Sequence, residues 1–237
     1  MAEFGPVLLF LVGIVLVVAT IVGGYLLERK RREKLMQVAM ARGWTYVGED
    51  SSLVHRWPGE PFGHGDNPRA RNVLTGTESG RPFTAFDYTY ETSSTDSKGN
   101  RSTTTHDWTV CVVPMPGWLG NVRVLPESAF DRMVDAVGLR TDIELESEEF
   151  NRRFRVAADN PKLASDILTP RTMQYLISVD AEAWRTCGSD LVGFAEGSLD
   201  PAEIVRTCGV LRRVQEGIPS FVWKDAGGTG SGYSPGP

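Results

Sequence analysis

Three histidines, three cysteines and one acidic run are the side chains of this 237-residue sequence with types suited to acid–base, metal or nucleophilic chemistry. His106 and Asp107 are neighbours in an alternating segment, so their side chains leave opposite faces of a strand and cannot pair locally. His55 and His64 lie in a stretch rich in Gly, Pro, Asp and Asn. The three histidines have no metal-ligand spacing, and no Ser or Cys motif accompanies them. Cys111, Cys187 and Cys208 are widely separated, sit among apolar or small neighbours and form no CxxC pair; they read as three buried thiols in a reducing compartment. Glu144, Glu146, Glu148 and Glu149 precede Arg152, Arg153 and Arg155. Paired carboxylates can do acid–base work, but alternating charge of this kind is the mark of a solvated face. Asp96-Ser97-Lys98-Gly99-Asn100 places Lys where a calcium loop needs an oxygen ligand and reads as a turn. Gly228-Thr229-Gly230-Ser231-Gly232 follows no βαβ unit and lacks the phosphate-binding lysine. No catalytic, cofactor-binding or metal-binding residue emerges, and the expectation is a protein that is not an enzyme.

One further constellation is aromatic. Phe86, Tyr88 and Tyr90 share one face of a period-two segment, and His106, Trp108, Val110 and Val112 share a face of the next. Such a face either lines a ligand pocket or packs as core against helices. The second use is expected. The first leaves an alternative, a small-ligand sensor or membrane-surface enzyme working with His106 and Glu91 beside Tyr88.

The elements that position these residues begin with a membrane span. Residues 6–27, from Pro6 to Leu27, carry no charged side chain. As a helix they reach about 33 Å, enough for a hydrocarbon core of about 30 Å. Arg29, Lys30, Arg31, Arg32 and Lys34 follow at once, whereas residues 1–5 hold an acid and no base. That asymmetry fits an anchor rather than a cleaved signal, with a short external N-terminus and a cytoplasmic C-terminal domain in the cell membrane. The basic cluster is also suited to anionic lipid headgroups. Ala19/Gly23 and Thr20/Gly24 are small-xxx-small pairs that allow close helix approach. The helix is expected to run on through a basic juxtamembrane segment, 28–43, with Glu28/Arg32 and Arg29/Glu33 pairs and a stop at Gly43.

Residues 44–224 then form one domain large enough for a real core. A first strand at 44–47 precedes an irregular arm, 48–68, laid over the sheet. Strands at 72–78 and 81–93 are joined by Ser79-Gly80, and a polar loop, 94–100, leads into 103–113. This is an antiparallel meander with one buried face, broken at 114–120 and resumed at 121–125. Beyond Pro126 come a helix at 127–137 and three helices each announced by a capping residue and Pro: Asn160-Pro161, Thr169-Pro170 and Asp200-Pro201, the last with Glu203 three places on. Met173/Leu176/Ile177 and Ile204/Cys208/Leu211 supply apolar stripes. Strands are expected at 154–158, 183–187 and 191–196, the last two as a hairpin about Gly188-Ser189. Residues 225–237 read as a disordered Gly/Ser/Pro tail. The fold class is α+β, with a transmembrane helix ahead of an aromatic-rich antiparallel sheet packed by helices.

Glu146-Ser147-Glu148-Glu149-Phe150-Asn151-Arg152-Arg153-Phe154-Arg155-Val156, followed by Ala164 and Ile167-Leu168-Thr169-Pro170, resembles the signature of uncharacterised bacterial membrane-tethered proteins of actinobacterial type, grouped as a domain of unknown function. The resemblance implies a single-pass membrane protein and carries no activity, cofactor or catalytic residue. Physically the motif reads as packing, with Phe150, Phe154 and Val156 in the core.

The net charge of −5 argues against nucleic acid as a partner. The reading is a membrane-anchored cytoplasmic interaction or scaffolding domain without catalytic activity, its partners the lipid bilayer and a protein the sequence does not name. A reporter fused after residue 237 is expected to behave as cytoplasmic; alkaline phosphatase activity from that fusion reverses the orientation.

Overall fold

The computed structural model describes residues 4–129 and 143–225. The chain divides between residues 43 and 44 into two compact units. The first is a single helix, α1 (Phe4–Arg42), of 39 residues. It contains an 18-residue window of mean hydropathy 2.6, so by length and composition it suffices to cross a membrane. Phe10, Leu11, Ile14, Val18 and Ile21 all stand exposed along it. Past the apolar stretch Arg29 pairs with Glu33 at 3.0 Å and Arg32 with Glu28 at 3.3 Å. Gly43, at φ +68°, supplies the left-handed residue that ends the helix.

The second unit is built on a seven-stranded antiparallel sheet. Its strands are β1 (Thr45–Glu49), β2 (Asp66–Glu78), β3 (Arg81–Thr95), β4 (Arg101–Leu119), β5 (Val122–Pro126), β6 (Phe154–Ala158) and β7 (Ala183–Glu196), in the spatial order β1-β2-β3-β4-β7-β5-β6. The helices are α2 (Glu148–Arg153), α3 (Pro161–Ile167), α4 (Pro170–Ser178), α5 (Pro201–Gly217) and α6 (Ser220–Asp225). Residues 127–129 are helical; the rest of the 127–137 helix expected from sequence, and the tail after 225, lie outside the described residues.

The capping signals act as their chemistry requires. Asn160 accepts from the Lys162 amide, Thr169 from that of Thr172 and Asp200 from that of Ala202, each followed by Pro at the first helical turn. Glu203 engages Arg206 at 2.8 Å. In the segment around α2, Ser147 caps, Phe150 and Phe154 stack at 4.8 Å, and Asn151 bonds both the amide and the carbonyl of Leu145. Phe150, Phe154 and Val156 are buried, so this segment is packing. The four glutamates are exposed or at helix ends, with Glu149 paired to Arg153.

Five expectations are corrected. The meander does not have one buried face: Ala85, Phe86, Asp87 and Tyr88 are all buried, as are Val110 to Val113. The Phe86/Tyr88 face is covered by the arm, and the opposite face by α5. There Gly193 is needed, because a Cβ would meet Thr207 Cγ2 at 2.8 Å. Residues 114–119 do not break the strand but continue β4 through a register shift. Residues 183–187 and 191–196 are not a hairpin but one strand, β7. Its second half pairs with β4, from Leu119↔Gly188 to Trp108↔Glu196, and its first half with β5. The shift in β4 frees that first half, and β5 takes it. Lastly, Cys187 is half-buried rather than buried, and α6 follows Pro219 where no helix was expected.

Polar groups inside are stitched together. Asp87 accepts from Asn72 Nδ2 at 2.6 Å and from the Leu199 amide at 2.7 Å, and Asn72 accepts from Tyr46 Oη at 2.7 Å. Cys111 and Cys208 bring their Sγ atoms to 2.8 Å across the β4–α5 interface. The Cys208 contact, with burial, pushes the Cys111 thiol well above its ordinary value. A thiol reagent applied to the native protein is therefore expected to label Cys187 alone, with Cys111 and Cys208 reacting only on unfolding. Three equivalents labelled without denaturant contradicts this packing.

Candidate functional site

The aromatic face is closed by the arm. Asp50 accepts from the Ser52 amide at 2.9 Å and starts a single 3-10 turn, Ser51–Leu53. From there Leu53, Val54, Trp57 and Phe62 descend onto β3, β4 and β7 and become part of one core with Phe86, Tyr88, Trp108, Val110 and Phe194. Trp57 stacks on Phe86 at 5.9 Å and Phe62 meets Tyr88 edge-on at 4.8 Å. The indole of Trp57 donates to Asp190 Oδ2 at 2.9 Å, while Arg56 lies 4.9 Å over its ring. So the face is core, but arm side chains fill it rather than the expected helices.

The site imagined around His106 and Glu91 does not assemble. His106 is the cross-strand partner of Tyr90, on whose ring it stacks at 4.7 Å, and its Nε2 shares a hydrogen bond with Thr92 Oγ1 at 2.9 Å. Glu91 is the partner of Thr105, faces the other way and accepts from Asn67 at 3.0 Å. His55 is exposed on the arm, and His64 lies tilted beside Tyr90 at 6.2 Å with its Nε2 3.9 Å from Glu60 Oε1. Among the described residues no three His, Cys, Asp or Glu side chains gather as metal ligands. Asp96 is a turn residue, accepting from the Lys98 and Asn100 amides at 2.8 Å each. Those bonds hold its carboxyl below the usual range.

What the fold does assemble is a buried charge cluster at the inner end of the arm. Arg123 of β5 and Arg185 of β7 are direct cross-strand partners, only 6% and 2% exposed. Glu60, 4% exposed, is brought to them by the arm. Arg185 Nη2 donates to the Gly59 carbonyl at 3.1 Å. Arg123 Nε and Nη1, Arg185 Nε, Glu60 Oε2 and His64 Nε2 are buried without a hydrogen-bond partner among the described residues. Burial pushes the Glu60 carboxyl up to about 7 against the pull of Arg123 and then Arg185. Burial, helped by Arg123, holds His64 below its ordinary value. Burial also brings Arg185 down to about 10. This cluster can hold negative charge; it offers no nucleophile.

On the opposite face a cleft of about 220 Å³ opens between β4, β7 and the start of α5, lined in part by Thr109, Cys111, Glu182 and Thr207. Arg206 joins Glu203 at 2.8 Å to Glu182 at 3.3 Å on its rim, so that cation is already paired.

Nothing in the neighbouring residues marks the buried cluster in advance. Arg123 sits between Val122 and Val124, and Arg185 between Trp184 and Thr186, a pattern that reads as an outward-facing base on a strand. Only the β5–β7 pairing and the arm above it reveal burial.

The fold so described is an α+β domain with a seven-stranded antiparallel sheet, preceded in the chain by a helix long and apolar enough to cross a membrane. Residues 117–188, which span β5, α2, β6, α3, α4 and the first half of β7, match a family described as protein of unknown function (DUF3137). Among solved structures the chain is similar to the mycobacterial trehalose monomycolate transport factor A, TtfA, with a TM-score of 0.55 and 16% identity over 78% of this chain and 93% of that one. No protein of curated function matches the sequence.

The Glu60 shift has a sign that can be measured. Its folded value of about 7 exceeds its ordinary 4.5. The folded state therefore holds that proton more tightly, and the resulting stability is complete at low pH and lost as pH rises through about 7. His64 acts in the opposite sense, so the comparison must isolate Glu60. The melting midpoint of the wild type minus that of Glu60→Gln is expected to fall between pH 5 and pH 8. A difference that stays level over this range contradicts a titrating, buried Glu60.

Proposed function

We propose that this chain is a membrane-anchored, non-catalytic scaffolding domain that serves as a transport factor, the term carried in the name of TtfA. Residues 6–27 span the cell membrane, residues 1–5 lie outside, residues 28–43 form the basic juxtamembrane helix, and the 44–224 domain faces the cytoplasm and captures a protein partner. Arg29, Lys30, Arg31, Arg32 and Lys34 meet anionic headgroups, at about 1 kcal/mol per base near the surface.

The observation that carries this reading is that both faces of the central sheet are occupied by the chain's own arm and helix. The remaining recognition elements are loops and edges. The most projecting is the β3–β4 ribbon, whose residues 92–105 are all exposed and remain paired to the tip through Thr95↔Arg101. Its surface is paved with Ser and Thr hydroxyls and has no apolar residue from Thr92 to Thr105. It is suited to polar, reversible contact.

Removing residues 94–100 and closing the ribbon with a two-residue turn is expected to leave the melting midpoint within about 2 °C and to abolish specific crosslinks in the native membrane. An unchanged set of crosslinked proteins, in a variant that still folds, rules the ribbon out as the capture surface. The span alone serves as the control.

A further inference from the structure

We propose that Arg123 and Arg185 form a binding site for a phosphate-class oxyanion, free or as a lipid headgroup, closed in this state by Gly59 and Glu60 of the arm. The proposal does not rest on the scaffolding reading, and the ribbon variant above is silent on it.

Two like charges placed directly opposite on neighbouring strands repel, and burial removes the water that would screen them. A sheet that needed only packing at this point would take apolar residues, as it does at the adjacent Val124↔Trp184 pair. Arg keeps its charge in protein interiors, so neutralisation has to come from an anion. Glu60 supplies at most one negative charge against two positive ones. Asp159 acts on Arg123 and Cys187 on Arg185 only through space. Among the described residues the pair is left under-neutralised, with three N–H-bearing nitrogens of the two guanidinium groups still lacking acceptors. Two guanidinium forks converging from adjacent strands match the several acceptor oxygens of phosphate or sulfate.

The space between the forks is held by the arm backbone. A Cβ on Gly59 would stand 2.7 Å from Arg185 Nη1 and 3.8 Å from Arg123 Nη2, and Gly59 itself has φ +72°. A glycine is thus required where the chain passes the two cations, and its carbonyl already serves as an acceptor for Arg185. Trp57 and Phe62 anchor the arm on either side of residues 58–61. Displacement of Gly59 and Glu60 alone, with both anchors kept, uncovers the pair. Glu60 then acts as the resident competitor of the ligand.

The test uses the full chain in detergent micelles. Inorganic phosphate, and sulfate, whose charge does not change near neutrality, are titrated at constant ionic strength against chloride while the melting midpoint is followed. A saturable rise of several degrees is expected for the wild type. It is expected to vanish in Arg123→Gln and Arg185→Gln, and to saturate at about tenfold lower anion concentration in Glu60→Gln, where the competing charge is gone. Should the Gln variants fail to fold, Arg185→Lys keeps the charge without the fork and is expected to weaken the response. Amide exchange across residues 58–64 of the wild type gives a readout without any substitution, and a phosphate-dependent change confined there is expected. Reconstitution in phosphatidylcholine with and without phosphatidic acid separates the sources: a response to the lipid alone assigns the headgroup, and a response to free phosphate assigns the soluble anion. Absence of any response in both arms, or a response that survives in Arg123→Gln/Arg185→Gln, overturns the site.

Discussion

The domain depends on covering a sheet that is apolar on both sides. Strands β3, β4 and β7 bury consecutive residues, so each face needs a lid, and the chain provides two of different kinds. One is the amphipathic helix α5, announced by its cap and its period. The other is a nearly structureless arm whose apolar payload is concentrated in Leu53, Val54, Trp57 and Phe62. Fully burying side chains of this size is worth about 1.5–3 kcal/mol each. Four of them can therefore hold a segment that has almost no regular hydrogen bonding of its own.

That arrangement explains which features could be read in advance. Local signals were faithful: the caps at Asn160, Thr169 and Asp200, the Ser79-Gly80 turn and the ion pairs after the apolar helix each depend on residues a few positions apart. The arm was also visible, because its Gly, Pro and Asp content excludes a strand. What was hidden lies in long-range pairing. The hairpin expected at Gly188-Ser189 follows from local turn chemistry, yet Gly188 pairs with Leu119 and the strand runs straight through. Likewise the continuous apolar character of 110–113 marks a strand buried on both sides, but alternation in the neighbouring segment drew attention to one face alone.

The charge cluster illustrates the same limit in electrostatic form. A basic residue on a strand has a strong prior for solvent, and nothing near Arg123 or Arg185 in the sequence changes that. Glu60 is more than sixty residues from the first and more than a hundred from the second. Burial of all three is a property of the β5–β7 crossing and of the arm that passes over it. The region to which only the alternative reading gave chemistry, around His106 and Glu91, is split by the two-residue period of the strand and occupied by stacking on Tyr90.

The continuity of β7 has a consequence for how the protein is made. It is the only strand, among the described residues, that joins β1–β4 to β5–β6, and its pairing with β4 closes over 88 positions, from Trp108 to Glu196. At about 5–20 residues per second of synthesis, the outer edge of β4 stays open for on the order of several seconds after it leaves the ribosome. During that interval the nascent chain carries a bare, apolar strand edge, the type of surface on which chains associate wrongly.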